Sequence, residues 1–517
     1  MDASQENDDG RNDGVAAPLL SSRDNEATTP GKKLSVGIIL ALTCINGGLQ
    51  VFFSTVMANL SPYLQKLGLS KSATAAITIA LPLSGAFVGP TAGALSDRLR
   101  TRWGRRRPMI LAAAILTVAF LGLLAWTEQI VHLFAGCPGS EPCDDPKGTL
   151  SKASVALAII WTLLVSIAVQ PVQAGVRALM VDIAPAEEQS RVSAWASRIQ
   201  GSLAIFSFFA SSLNLPDLPG LGRLTQFQAL TCLNFITLGG TVLITCIFIA
   251  EKDSRRISLQ AKQRSVKEVF RHIYQTVWHL PKRIAGACKA QFSSWFAWFP
   301  LLYYTTTFIG ELGTSMELLD NPGDALAQAG SLGSLSFAIV GFFFTLTLPV
   351  ALPYLSRKLA RRSTQTEDDN EANDASDSDT DPRSLLWLWL STQPILGLLL
   401  VLTLAAAYQW QGIVLVALAG LPWAVTQWVP WAVIGYETSR QGLQGDEDDE
   451  DAADSQAGAI LGVHNMAISL PQVLSGAVSS VTYKIAEEAG SEVPTAWVLA
   501  ISGLAAFVAA YLVKRVL

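Results

Sequence analysis

The residues of this chain best suited to bind a ligand stand at helical spacing inside apolar sequence. Ser166, Gln170, Gln173 and Arg177 lie at i, i+4, i+7 and i+11. At about 100° per residue they share an arc of about 60°, one polar stripe on an otherwise apolar helix. A stripe of this kind turned to lipid is costly, because an arginine alone costs roughly 2.5–3.5 kcal/mol at the centre of a membrane helix. Two readings of the stripe stand. It lines a water-filled cavity, where amides and a guanidinium can donate to and accept from the hydroxyls of a polyhydroxylated ligand, or it serves helix–helix hydrogen bonds. Arg177 also has a third option, pairing with Asp97 or Asp182 as a gate.

Similar polar faces recur at Asn46 and Gln50, and at Asn465, Ser469 and Gln472. Aromatic residues join them. Trp295 and Trp298 share a helix face with Thr306 further along, and Trp423, Gln427 and Trp431 form a second such face. Flat C–H faces of a sugar pack on indole rings while nearby amides meet its hydroxyls; ordinary tryptophan packing or an interfacial belt accounts for most of the other tryptophans. The candidate ligand contacts are therefore Asn46, Gln50, Gln170, Gln173, Arg177, Trp298, Thr306, Gln427, Asn465 and Gln472.

Groups able to carry a proton are scarce. No Asp or Glu stands at the middle of an apolar block; the titratable groups nearer the ends are Glu128, Asp182, Glu311, Glu437 and His464, of which His464, Glu311 and Asp182 are the candidates for proton coupling. Catalysis is not indicated: with only 4 His, no metal-ligand cluster and no nucleophile–base arrangement stands at workable spacing, so no enzyme, metal or cofactor is expected. The stretch GALSDRLRTRWGRRRP at 93–108 has another character. Gly93 is expected to let two helices approach, Asp97 to accept from a helix N-terminus or an arginine, and Arg98, Arg105, Arg106 and Arg107 to lock and release one face of a moving assembly.

Helices long enough to cross a bilayer must position these residues. Apolar blocks of about 20 residues alternate with short polar joints, the length a ~30 Å hydrocarbon core requires. They lie near 34–58, 72–95, 108–127, 153–180, 192–213, 228–250, 286–309, 331–355, 384–408, 411–436, 457–482 and 494–514. The fold class is thus an all-α membrane protein of about twelve spans. With the N-terminus inside, the loops that fall outside hold six of the 37 Lys and Arg, so both termini are expected to be cytosolic. The basic segment 251–285 divides the chain into six-helix halves, 34–250 and 286–517, and the basic loops at 96–107 and 355–363 echo one another across them. The tail 1–33 reads as disordered, as do acidic inserts within 363–383 and 440–456, and the first apolar block reads as a retained span, not a cleaved signal. Cys137 and Cys143 flank one hydrophilic turn and form a bridge if that loop meets an oxidising compartment. The slightly negative net charge of -5 gives no reason to expect a nucleic-acid partner, and nothing requires an oligomer, so a monomer in the lipid bilayer is expected.

The 93–108 stretch resembles the corresponding loop of the sucrose/proton symporters, the glycoside–pentoside–hexuronide branch of the major facilitator superfamily. LSPYLQKLG at 60–68, VQAGVRALMVD at 172–182, SWFAWFP at 294–300 and LGVHNMAISLPQ at 461–472 agree in order. YYTTTFIGE at 303–311 looks more like fungal members that carry α-glucosides. The resemblance implies the two-half major facilitator fold, alternating access, a disaccharide substrate such as sucrose or a maltose-type α-glucoside, and a proton as coupling ion. It supports Arg177, whose RAL context matches the family's essential arginine. It also breaks in places: the plant members carry an Asp where this chain has Ser166, two Asp and an Arg where it has Thr305, Thr307 and Glu311, and a His roughly at Lys71. An uncoupled facilitator or exporter and a non-transporting sugar sensor are the alternatives. The plasma membrane is the expected location, with the vacuolar membrane open because of PLLSS at 18–22.

Overall fold

The computed structural model describes residues 34–96, 99–135, 149–185, 188–251, 266–313, 322–363, 382–442 and 450–517. The tail 1–33, Asp97, Arg98, Cys137, Cys143 and most of the acidic inserts lie outside these residues. The described chain is helical: α1 (Val36–Lys66), α2 (Lys71–Thr78), α3 (Ala80–Ser96), α4 (Arg107–Ala125), α5 (Thr127–Phe134), α6 (Thr149–Ile183), α7 (Gln189–Ser212) and α8 (Gln226–Phe248) precede α9 (Val266–Trp278), α10 (Lys282–Glu311), α11 (Pro322–Ser363), α12 (Pro382–Leu402), α13 (Gln409–Leu418), α14 (Gly420–Gly442), α15 (Glu450–Glu488) and α16 (Pro494–Lys514).

Among the described residues, 9 helical segments are long and apolar enough to cross a membrane. The three other expected spans coincide with α7, α10 and α15, which are as long but more polar. Arg191 and Arg198, Lys289 and Gln291, and His464, Asn465 and Gln472 interrupt their apolar sequence. These are among the helices through which the two groups meet, so packing against protein tolerates polar side chains that lipid would not. Two expected single spans are each broken into two helices. Pro82 has no N–H for the carbonyl of Thr78 and Pro422 none for Leu418, so the chain hinges at Ile79 and at Ala419.

Local signals set several boundaries. The Ser35 hydroxyl accepts from the N–H of Ile38 at the start of α1, Ser70 does the same for α2, and Thr225 forms a reciprocal capping box with Gln228 at α8. Helices α1, α3, α4, α6, α7 and α8 pack on one another, as do α10 through α16. The two groups meet through α1 on α10, α7 on α11, and α2 and α3 on α15. The face holding the start of α1 and the end of α16 is called here the tail face. The main buried cluster crosses between the groups away from it, with Tyr303, Tyr304 and Tyr483 of the second group joining Leu60, Leu64 and Val56 of the first.

Gly93 was expected to allow a close helix contact, but a Cβ there meets no atom within 4 Å. The close approach is made by Gly48 of α1, where a Cβ would lie 2.8 Å from Leu238 Cα and 2.9 Å from Thr237 O of α8. Backbone cannot yield as a side chain can, so Gly48→Ala should cost about 1–3 kcal/mol. Thermal unfolding in detergent should show an earlier transition for Gly48→Ala and none for Gly93→Ala.

Candidate functional site

The basic stretch builds a clamp on the tail face. Gly104 takes φ +94°, a left-handed conformation that side chains rarely adopt, and turns the chain against Glu251 at the end of α8. The Glu251 carboxylate accepts from the backbone N–H groups of Arg106 (3.0 and 3.1 Å) and Arg107 (2.9 Å), capping α4. This is the role expected of Asp97. Composition and spacing did not single out Glu251 because its partners stand some 144 and 145 positions away. Arg106 Nε and Arg105 Nη2 meet Asp182 of α6 at 2.9 and 3.0 Å, and Arg106 Nη1 donates to Ser96 Oγ at 3.0 Å. The clamp therefore ties α3, α4, α6 and α8 within one helix group. Asp182, a sequence candidate for proton transfer, belongs to it and is shared by two guanidinium groups.

The α6 stripe faces α3 and α15. Ser166 is buried and spends its hydroxyl on Thr162 O, 2.7 Å away. Gln170 is buried and donates to Leu81 O at 3.2 Å. A Cβ on Gly85 would lie 3.5 Å from both Gln170 Oε1 and Ser469 Oγ, so groups from α6 and α15 converge on this point of α3. Gln173 is half-buried. Arg177 and Asn465 are both exposed, although each lies within a long helix, and Arg177 Nη1 donates to Asn465 Oδ1 at 3.3 Å. Arg177 thus reaches the opposite helix group and not Asp182, whose acceptors Arg105 and Arg106 already occupy. Gln427 of α14 is also exposed. Arg177, Asn465 and Gln427 are thus exposed polar side chains set within long helices of both groups, with Arg177 within two turns of the tail-face end of α6.

The other candidates divide by their surroundings. Asn46 of α1 is buried; its amide donates to Thr43 O at 3.2 Å and approaches Met180 Sδ of α6 at 3.4 Å. Gln50 and Gln472 turn back on their own helices, donating to Ser54 Oγ and Ile468 O. Trp298 is fully buried, edge-on to Trp423 with centroids 5.0 Å apart, and packed near Phe337. Thr306 is buried where α11 brings Gly330 against it, and its hydroxyl has no partner among the described residues. Trp298 and Thr306, both expected as ligand contacts on one face of α10, are buried side chains. Trp423, half-buried and one turn from Gln427, holds the more accessible place, and Trp298 backs it. Gln291 did not stand out in the sequence. It is fully buried with neither amide atom partnered among the described residues, and its spacing to Trp295 and Trp298, i+4 and i+7, is the signal that marks it.

His464 is fully buried, its ring edge-on to Trp431 at 4.3 Å, and neither ring nitrogen has a partner among the described residues. Glu311 sits at the opposite face. Its Oε1 meets Lys71 Nζ of α2 at 2.7 Å, and Thr495 of α16 donates to it from both backbone N–H (3.0 Å) and hydroxyl (2.7 Å). Around this pair the two groups make further bonds: Ser72 with Ser480 at 3.0 Å, Ser61 with Thr307 at 3.3 Å, and Thr78 with Tyr304 at 3.0 Å. Bonds between the groups gather at this far face, while nearer the tail face Arg177 and Asn465 join the groups by a further bond and Gln427 is exposed.

Known proteins place this architecture. The solved D-xylose–proton symporter superposes with TM-score 0.58 at 14% identity, covering 92% of this chain and 96% of that one. A nucleoside transporter, NupG, gives TM-score 0.58 at 12% identity over 93% and 99%. In sequence, the general alpha-glucoside permease of Schizosaccharomyces pombe is 30% identical over 96% of this chain and 97% of its own. A sucrose transport protein of Arabidopsis thaliana, SUC4, is 22% identical over 89% and 87%. The model of the MFS/sugar transport protein family matches residues 40–320. With these helices and these relatives, the chain belongs to the MFS/sugar transport protein family and is an integral membrane transporter, not an enzyme.

Proposed function

We propose that the protein is a proton-coupled symporter that carries a disaccharide, a maltose-type α-glucoside or sucrose, into the cell by alternating access. The observation that carries this reading is the meeting of Arg177 and Asn465, two exposed polar side chains from opposite helix groups. The extent of likeness to the alpha-glucoside permease supports the substrate class. The groups 34–250 and 286–517 act as the two moving halves. The excess of basic residues in the loops of the tail face supports a cytosolic position for that face and for both termini. The arrangement is then inward-open: bonds across the groups gather at the outer face, and a cleft between the halves opens to the cytosol. The plasma membrane is the proposed location, the protein acting as a monomer with no cofactor beyond the coupling proton.

Within the cleft, Arg177, Gln173, Asn465 and Gln427 offer donors and acceptors to hydroxyls, and Trp423 offers a ring face supported by Trp298. Gln170, Asn46, Gln50, Gln472 and Thr306 contribute from behind or after local rearrangement. The clamp of Arg105, Arg106, Arg107, Asp182 and Glu251 holds the tail-face ends of one half together, so that it rocks as a unit.

Uptake of labelled maltose and sucrose in yeast lacking its own carriers tests the whole reading. Accumulation favoured by acid external pH and abolished by a protonophore is the expected result. Saturable uptake indifferent to both treatments indicates a facilitator, and specific binding with no flux indicates a sensor. Arg177→Ala should lower uptake at least tenfold, about 1.4 kcal/mol of lost interaction, while surface expression stays normal. Asp182→Asn, which weakens the clamp outside the cleft, should reduce the maximal rate with KM unchanged, as read from concentration series on the two proteins.

A further inference from the structure

Helix α9 is too short to cross a membrane, yet it exposes large apolar side chains. Tyr274 is 64% exposed, Val277 41% and Trp278 71%, and the two rings meet edge to face with centroids 6.2 Å apart. Lys267, Arg271, Tyr274 and Trp278 stand at i, i+4, i+7 and i+11 and are all exposed. At about 100° per residue they fall within an arc of about 60°, so two cations and two aromatic rings share one open stripe.

The chain fixes where this stripe lies. Only His279, Leu280 and Pro281 separate Trp278 from the first residue of α10. That keeps the indole within about 15 Å of the point where α10 enters the membrane. Leu280 packs on the buried cluster of the second group, Lys282 is exposed, and Arg283 is tied to Glu437 of α14 at 2.7 Å. Helix α9 itself packs on α3 of the first group and on α15 of the second. The stripe therefore stands at the tail face, beside the edge of the bilayer. From 266 to 289 the sequence holds five Lys and Arg against a single acid, Glu268. Water suits the cations but not the open rings, and hydrocarbon suits the rings but not the cations. The headgroup layer suits both: tyrosine and tryptophan settle there, and long basic side chains reach from an apolar surface to the charged groups.

We propose that the exposed stripe of α9 is a docking surface for the headgroups of anionic phospholipids in the adjoining leaflet. Lys267 and Arg271 donate to the phosphate and carboxylate oxygens of the lipid, and Tyr274 and Trp278 pack beside its glycerol and upper acyl chains. Because α9 touches α3 of one half and α15 of the other, this surface holds the connection between the halves against the leaflet. The inference goes beyond the transport reading and depends on neither the sugar nor the proton.

The test uses the full-length protein in micelles that contain equal amounts of phosphatidylserine and phosphatidylcholine, with the retained lipids counted by native mass spectrometry. Phosphatidylserine should be retained about tenfold over phosphatidylcholine at low salt, on the scale that two cations at an anionic surface supply. The preference should shrink as KCl is raised. Lys267→Gln with Arg271→Gln should abolish it. Arg102→Gln with Lys514→Gln removes two exposed tail-face cations outside α9 and should preserve it. Should the α9 double variant fail to fold, the wild-type protein in nanodiscs decides: trypsin cleavage after Lys267 and Arg271 should be slower with phosphatidylserine present than in phosphatidylcholine alone. Equal cleavage in the two lipids overturns the proposal, as does a wild-type protein with no lipid preference. An equal loss of preference in both double variants also overturns it, because it marks diffuse attraction to the whole face. So does displacement of phosphatidylserine by inorganic phosphate at matched ionic strength, because a free anion has no chains for the rings to hold.

Discussion

Hydrocarbon offers no hydrogen bonds, and most of this structure follows from that constraint. Every backbone polar group within the bilayer has to be satisfied inside its own helix, and every polar side chain has to find protein or water. The helices lacking the strongest apolar character, α7, α10 and α15, are accordingly found where the two helix groups meet. The same constraint gives Gln170 a carbonyl partner in α3 and Arg177 one in Asn465 of the other group. It also makes proline breaks useful: the carbonyls freed by Pro82 and Pro422 are tolerated because neighbouring helices surround the hinges at Ile79 and Ala419.

The two faces of the molecule use charge in opposite ways. On the tail face, charges join helices of a single group: Arg105 and Arg106 on Asp182, Arg107 on Glu251, and in the second group Arg283 on Glu437 at 2.7 Å. These contacts can persist while the groups move. On the far face, Lys71 and Glu311 join one group to the other, so their contact cannot survive opening there. A rocking assembly needs both kinds, one to keep each half rigid and one to register whether the halves are closed.

Many of the polar residues set within the helices stood out before the fold. Arg177, Gln170, Asn465 and Gln427 were evident because a polar residue in an apolar block has few explanations, and helical spacing places such residues on a common face. The charged stretch that builds the tail-face clamp stood out by its arginines. What escaped was partner identity. Glu251 caps α4, Arg177 meets Asn465 and leaves Asp182 to Arg105 and Arg106, and Trp298 lies behind Trp423. Gln291 was overlooked because a single amide beside two tryptophans looks like packing until its burial is known.

The sequence by itself determined the class of molecule: the number and length of apolar blocks, the bias of basic loops, and the polar stripe of α6 are properties of local composition and of the fixed 100° rotation of a helix. The tertiary structure alone decided which stripes face one another and which end of the bundle is closed. Lys71 and Glu311 stand 240 positions apart, and no periodicity within either helix specifies that contact. It arises only when α2 and α10 are brought together by the packing of whole helices, and a contact of that kind exists in one arrangement of the two groups and not in the other.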